Sequence, residues 1–231
     1  MNIKTTEYNV SARVSKKLTF VFVSDLHGCD NTPILNAIKN VNPDAVLVGG
    51  DFVHSTAVYK AGIEFLKMSS NLIPTFCSLG NHERNFEGDI RRLVKKTGAV
   101  MLDNSYINFH GVFIGGLTSV SSKNNETPDI RWLETFSYVD NCKILLCHHP
   151  EYYERYIKGL DIDLVLSGHA HGGQWRFFGR GVYSPGQGIF PKYTSGLYDG
   201  QLLVSCGIGN PHLIPRINNA PEVLCVRLSN N

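Results

Sequence analysis

The sequence carries almost no charge excess: among 231 residues, 22 Lys and Arg stand against 20 Asp and Glu, for a formal net charge of +2. That balance gives no overall signal for a nucleic-acid groove or a basic membrane patch. No run approaches the roughly 18 apolar residues of a membrane span. Residues 1–17 hold scattered charges and no continuous apolar segment, so no signal peptide is read there. The expectation is a cytoplasmic protein, with the proviso that a trimmed export signal leaves no trace. The six cysteines form no Cys-x-x-Cys pair, which argues against a zinc ribbon or a dithiol redox site. Several lie in apolar runs and read as buried reduced thiols. Internal repeats, low-complexity tracts and linkers are also missing, and residues 1–231 read as one domain.

What is present is an ordinary globular composition, 42% hydrophobic and 18% charged, on a chain long enough to bury a substantial core. Leu18 to Val23 is short, β-branched and aromatic, and reads as a strand. Pro33 to Val41 repeats apolar residues at helical spacing, with Asn31 or Thr32 as N-cap. Strands follow at Ala45 to Val48 and Pro74 to Leu79, and helices at Thr56 to Ser69 and Glu87 to Thr97. This alternation indicates parallel βαβ units, in which ligands bind beyond the carboxyl ends of the strands. In the second half, a hairpin turns at His110-Gly111, and strands are expected at Lys143 to Cys147, Asp163 to Ser167, Leu202 to Cys206 and Val223 to Leu228. Gly172 to Gly200 is rich in Gly, Pro and aromatics and too irregular for a long element.

The chemistry gathers in five loops that each follow an apolar strand. They carry Asp25 and His27, Asp51, Asn81 and His82, His148 and His149, and His169 and His171. The last pair lies in Gly168-His169-Ala170-His171-Gly172-Gly173-Gln174, where two imidazoles two apart in an extended segment would face one side. Such a pair can present two nitrogens to a metal; the alternative is two histidines in a polar turn. Mixed carboxylate, amide and imidazole donors suit manganese, iron or zinc. They fit neither a calcium cage nor a thiolate zinc site.

Asp-x-His, Gly-Asp, Gly-Asn-His-Glu, His and Gly-His-x-His, in that order, resemble the calcineurin-like metallophosphoesterase superfamily. The resemblance covers about Ser24 to His171, with further likeness to about Glu222. It implies an αββα sandwich of two mixed sheets flanked by helices. It implies two divalent or trivalent metal ions (Mn, Fe or Zn, with manganese the ion expected to serve in vitro). Asp25, His27 and His171 would hold one ion, Asn81, His148 and His169 the other, and Asp51 would bridge both. His82 would act on the substrate as acid or phosphate stabiliser. The implied reaction is hydrolysis of a phosphodiester or pyrophosphate bond in a small phosphorylated substrate by a hydroxide between the ions. The alternatives are a nuclease or cyclic-nucleotide phosphodiesterase on the same site, or a non-catalytic scaffold of the same fold.

Departures narrow the branch. Glu83 stands where many relatives have Asp, and either could bond a nearby imidazole. His149 stands where relatives often have Asn and is left out of the ligand set, with a substrate contact as its alternative role. His54 occupies the tyrosine position of purple acid phosphatases and is read chiefly as a loop or helix-start residue, with an approach to the site as the alternative. After Gly50-Asp51 the run lacks the acidic residue and Arg-Gly of the serine/threonine phosphatases. The Gly-His-Ala-His-Gly-Gly-Gln ending looks like that of small bacterial phosphoesterases, whose relatives include enzymes acting on cell-envelope lipid precursors. Trp175, Phe177, Phe178, Tyr183, Phe190, Tyr193 and Tyr198 are expected chiefly to cover the sheet edge, with Arg176, Arg180 and Lys192 solvated. The other reading makes them a wall beside the metals. Arg216 is a candidate phosphate contact.

Overall fold

The computed structural model describes residues 2–120, 126–210 and 215–230. Its first half is built from strands Lys4–Ser11 (β1), Leu18–Val23 (β2), Ala45–Val48 (β3), Thr75–Cys77 (β4) and Val100–Met101 (β5). Helices Thr32–Val41 (α1), Lys60–Leu72 (α2), Asn81–Arg84 (α3) and Ile90–Lys95 (α4) alternate with them. The second half has strands Ser105–Phe109 (β6), Val112–Leu117 (β7), Cys142–Cys147 (β8) and Leu164–Ser167 (β9), with helix Ile130–Ser137 (α5). Two small hairpins follow, Arg176–Phe177 (β10) with Arg180–Gly181 (β11), and Tyr183–Ser184 (β12) with Gly188–Ile189 (β13). Gly196–Tyr198 (β14), Leu202–Val204 (β15) and Glu222–Ser229 (β16) close the chain.

These strands form two six-stranded mixed sheets, ordered β1-β16-β2-β3-β4-β5 and β14-β15-β9-β8-β7-β6. In the first, β2, β3, β4 and β5 run parallel while β16 is antiparallel to β2. In the second, β15, β9, β8 and β7 run parallel and the two edges are antiparallel.

Strand alternation sorts the apolar residues into three cores. Phe20, Phe22 and Leu47 of the first sheet meet Ile114, Ile144 and Leu166 of the second. Val21, Val23 and Val46 turn the other way, onto Ile34 and Ile38 of α1 and Phe65 and Leu66 of α2. Leu145 and Val165 meet Leu133 and Phe136 of α5 and Tyr153 and Ile157 of a single π-helical turn. Helix, sheet, sheet and helix are therefore the four expected layers. Strands buried on both faces explain the unbroken apolar runs of β2, β3, β8 and β9.

The parallel pairing places the loops after β2, β3, β4, β8 and β9 at one rim. The helix expected over Thr56 to Ser69 begins later, at Lys60, because residues 53–58 form a turn in which the His54 and Ser55 amides both bond to the Val58 carbonyl. The helix expected from Glu87 likewise starts at Ile90, where the Asp89 carboxylate caps the Arg92 amide.

Phe22 is fully buried between the sheets, so truncating it leaves a cavity that neighbouring strands cannot fill. Phe22→Ala is expected to cost about 3–5 kcal/mol, measured as a lower denaturant midpoint with an unchanged slope.

Candidate metal centre

The rim loops owe their shape to left-handed backbone. Asp25, His27, Asp51, His169 and His171 all have positive φ, between 46° and 63°, a region in which Asp and His are tolerated better than most residues. Each turn follows directly on a buried strand, so the donor side chain returns toward the sheet axis. Glycine is obligatory at two contacts. A Cβ on Gly168 would lie 2.5 Å from Asp25 Oδ2, and one on Gly50, at φ +88°, would lie 2.6 Å from the Gly80 amide nitrogen. His169 and His171 are not an extended pair facing one side. His171 opens a 3₁₀ turn to Gly173, and the two rings part into different clusters.

Among the described residues four clusters have donor atoms within 4.8 Å of one another: Asp25, His27 and His171; Asp51, His148 and His169; His27, His54 and His82; and His149, Glu151 and His169. The first two contain both buried aspartates. They meet at Asp51. Its Oδ2 lies 3.1 Å from His148 Nε2, 3.8 Å from His27 Nε2 and 3.9 Å from His82 Nε2. Asp25 Oδ1 lies 3.5 Å from His171 Nε2 and 3.9 Å from His27 Nε2. Backbone amides fix both carboxylates: His169 N–H donates to Asp25 at 3.1 Å, and His82 N–H to Asp51 Oδ1 at 2.9 Å. Asn81 stands beside them at the start of α3.

The donor set fits metal ions. His27 Nδ1 and Nε2, His148 Nε2 and Asn81 Oδ1 are buried without a hydrogen-bond partner, and such orphans are costly unless something binds there. His148 Nδ1 lies 2.7 Å from the Gly49 carbonyl. A carbonyl only accepts, so Nδ1 carries a hydrogen, which leaves Nε2, 3.1 Å from Asp51 Oδ2, as the nitrogen whose proton a metal ion would displace. Burial holds the pKa of His27 down to about 3, although Asp51 and Asp25 pull it up. Burial, with His149 and His148 nearby, lowers that of His169 far below the usual range. Both rings are therefore neutral at pH 7, the charge state in which an imidazole can bind a metal. Burial would lower the pKa of His148 too, but Asp51 outweighs it and raises it to about 10.

Three residues take roles the sequence reading did not assign. Among the described residues Glu83 bonds no imidazole. It is 2% exposed and accepts amide hydrogens from Asp51 (2.7 Å), Val53 (2.8 Å) and Gly80 (2.8 Å). Burial and the Asp51 charge push its pKa up against those donors. Its place after Asn81-His82 gave no sign of a backbone clamp. His54 is no mere loop residue: its ring stacks on His82 at 5.4 Å and meets His27 at 5.6 Å, and its carbonyl bonds His82 Nδ1. Glu151, legible only as the acid after His148-His149-Pro150, lies 3.0 Å from His149 Nδ1 and 3.9 Å from His169 Nε2.

The aromatic segment divides. Tyr193 is buried against Tyr153 and Tyr198, as a cover for the sheet edge. Trp175, Phe177, Phe178, Tyr183 and Phe190 are exposed, contrary to expectation, because the two hairpins stand off the sheet instead of lying on it. Arg176 is not solvated: it bonds the Gly172 and Gly179 carbonyls and Thr194. Lys192 pairs with Glu154 at 2.5 Å. Arg216 Nη1 donates to the Cys206 and Gly207 carbonyls and Nη2 to the Gly209 carbonyl and, at 3.4 Å, toward His171 Nδ1. It thereby fastens the loop whose Ile208 and Gly209 amides bond the Ser24 and Asp25 carbonyls.

Residues 18–173 match the sequence model of the family described as calcineurin-like phosphoesterase. The chain belongs to that family. This phosphoesterase is 26% identical to protein YpbG of Bacillus subtilis, over 98% of this chain and 87% of that one. It is 27% identical to phosphodiesterase YaeI of Escherichia coli, over 90% and 81%. It is 29% identical to a metallophosphoesterase of Campylobacter jejuni, over 85% of this chain but 55% of that one. The phosphoesterase is thus a hydrolase of phosphoric ester bonds from a metal-dependent family. Among the described residues no helix is long and apolar enough to cross a membrane.

Glu83→Gln sets an amide donor against backbone donors at the Asp51 loop. It is expected to cost about 2–4 kcal/mol of stability, measured by denaturant unfolding without added metal. A cost below about 0.5 kcal/mol, the level of a surface substitution, would remove Glu83 from its clamping role.

Proposed function

We propose that this phosphoesterase is a dinuclear metal-dependent hydrolase of phosphodiester or pyrophosphate bonds in small phosphorylated substrates. Asp25, His27 and His171 hold one ion, Asn81, His148 and His169 the second, and Asp51 lies between them. The carrying observation is Asp51: one carboxylate stands within 4 Å of imidazoles from both clusters. When bound, the ions supply a hydroxide nucleophile near neutral pH and stabilise charge developing on the phosphoryl oxygens.

The chain's own residues do the rest. Only Asp25 and Asp51 in the proposed ligand set are anionic, so two divalent ions leave a positive surplus that attracts a phosphate ester. His82 stands outside that set. The carbonyl of His54 can only accept, so His82 Nδ1 holds a hydrogen in either charge state and Nε2 is the atom that delivers a proton. His82 lines an open depression of about 430 Å³ with His54, Asn81 and Asn85. This is the space we assign to the substrate, and it lets a protonated Nε2 reach the leaving oxygen or a phosphoryl oxygen. The His54 ring, stacked on that of His82 at 5.4 Å between centroids, steadies it.

With manganese loaded, bis-p-nitrophenyl phosphate is expected to turn over faster than p-nitrophenyl phosphate; the reverse order would contradict the diesterase reading. His82→Ala should keep its metal content and lose at least about 10²-fold in turnover. Asp51→Asn should lose metal by elemental analysis. A His82→Ala variant with near-normal turnover would exclude it from the chemistry.

A further inference from the structure

The near-neutral charge of the whole chain hides a local asymmetry. From Gly172 to Tyr198 there is no Asp or Glu, while Arg176, Arg180 and Lys192 are present. The same stretch holds the exposed side chains of the β10–β11 and β12–β13 hairpins. Phe178 is 106% exposed, Phe190 79% and Ile189 72%. Phe178 and Gly179, both at positive φ, make the tip of the first hairpin. Phe190 follows the second, its amide bonded to the Val182 carbonyl at 2.8 Å. The tips are neighbours, because Gly179 and Arg180 share with Phe190, Pro191 and Lys192 the lining of one open depression of about 500 Å³.

The backbone beneath is firmly anchored. The Val182 amide bonds the Gly173 and Trp175 carbonyls at 3.0 and 2.9 Å. Gly173 packs so closely on Gly181 that a Cβ there would lie 2.3 Å from the Gly181 Cα. Arg176 ties the first hairpin to the Gly172 carbonyl, one residue past His171. Bulky apolar groups are thus held out in solvent by a fixed scaffold, a pattern that marks an interaction surface.

We propose that these two hairpin tips are a docking surface for the face of an anionic lipid bilayer. Single aromatics projecting from separate tips suit a soft interfacial medium, into which each can insert on its own. Lys192 is neutralised by Glu154 at 2.5 Å, so the charge that meets the anionic headgroups is that of Arg180, which has no side-chain partner among the described residues. Docking does not depend on the metal pair, but it would bring the rim that carries His171 alongside the membrane.

Vesicle co-sedimentation tests this. The protein is expected to partition onto vesicles of phosphatidylglycerol and phosphatidylcholine more strongly than onto phosphatidylcholine alone. Phe178→Ser with Phe190→Ser should weaken that partitioning at least about tenfold, and Arg180→Glu alone should weaken it on the anionic vesicles only. As a second readout, Phe178→Trp should shift its emission to the blue on adding anionic vesicles. Absent partitioning of the wild type, equal partitioning of the double variant, or an unshifted Phe178→Trp spectrum would each overturn the proposal. So would sedimentation velocity showing a wild-type dimer that the double variant converts to monomers, which would assign the surface to a second copy of the chain.

Discussion

Everything at the rim answers to one constraint: two carboxylates, Asp25 at 0% and Asp51 at 1% exposure, are buried with imidazoles instead of ammonium or guanidinium groups as their nearest partners. A buried carboxylate needs hydrogen bonds or opposite charge. Amides of His169 and His82 supply part of that, and His148 supplies more through its contact with Asp51. The unpartnered nitrogens of His27 and the unpartnered Asn81 oxygen remain uncompensated by the protein itself. Cations in their midst would satisfy His27 Nε2 and Asn81 Oδ1 together, and the neutral rings of His27 and His169 do not compete with them for the carboxylate charge.

The fold supplies the rigidity this needs. Strands β2, β3 and β4 from one sheet and β8 and β9 from the other end at the same rim, so donors far apart in sequence arrive on stiff, fully buried elements. Left-handed backbone at Asp25, His27, Asp51, His169 and His171 then sets the direction of those side chains at the strand ends. Such backbone is strained and survives only where its surroundings over-determine it. Glu83 is one such determinant, since its single carboxylate fixes the amides of both the Asp51 and Gly80 loops. The Cys206 to Gly209 loop, held by Arg216, is another, because it closes behind Asp25.

Much of this was legible in the amino-acid order. Strands β2, β3, β8 and β9 announced themselves because burial on both faces leaves unbroken apolar runs. The donor residues could be found because each follows such a run. Strand β1 escaped notice: in Lys4–Ser11 only Val10 is buried, and the segment is polar because it lies at a sheet edge. Helix α3, four residues long, carries no periodicity to detect. What no pattern could convey is direction. The separation of His169 from His171, the amide bonds of Glu83, and the approach of His54 to His82 all depend on turn dihedrals and contacts across the two sheets. The hairpin aromatics were misread for the same reason, since composition gives apolar character but not the face on which it lies.

The central claim is that two cations share Asp51, and anomalous diffraction from crystals grown with manganese addresses it most directly. Two peaks should appear, one among Asp25, His27 and His171 and one among Asn81, His148 and His169, both in contact with Asp51. A single peak, or two peaks that leave Asp51 uncoordinated, would contradict the account.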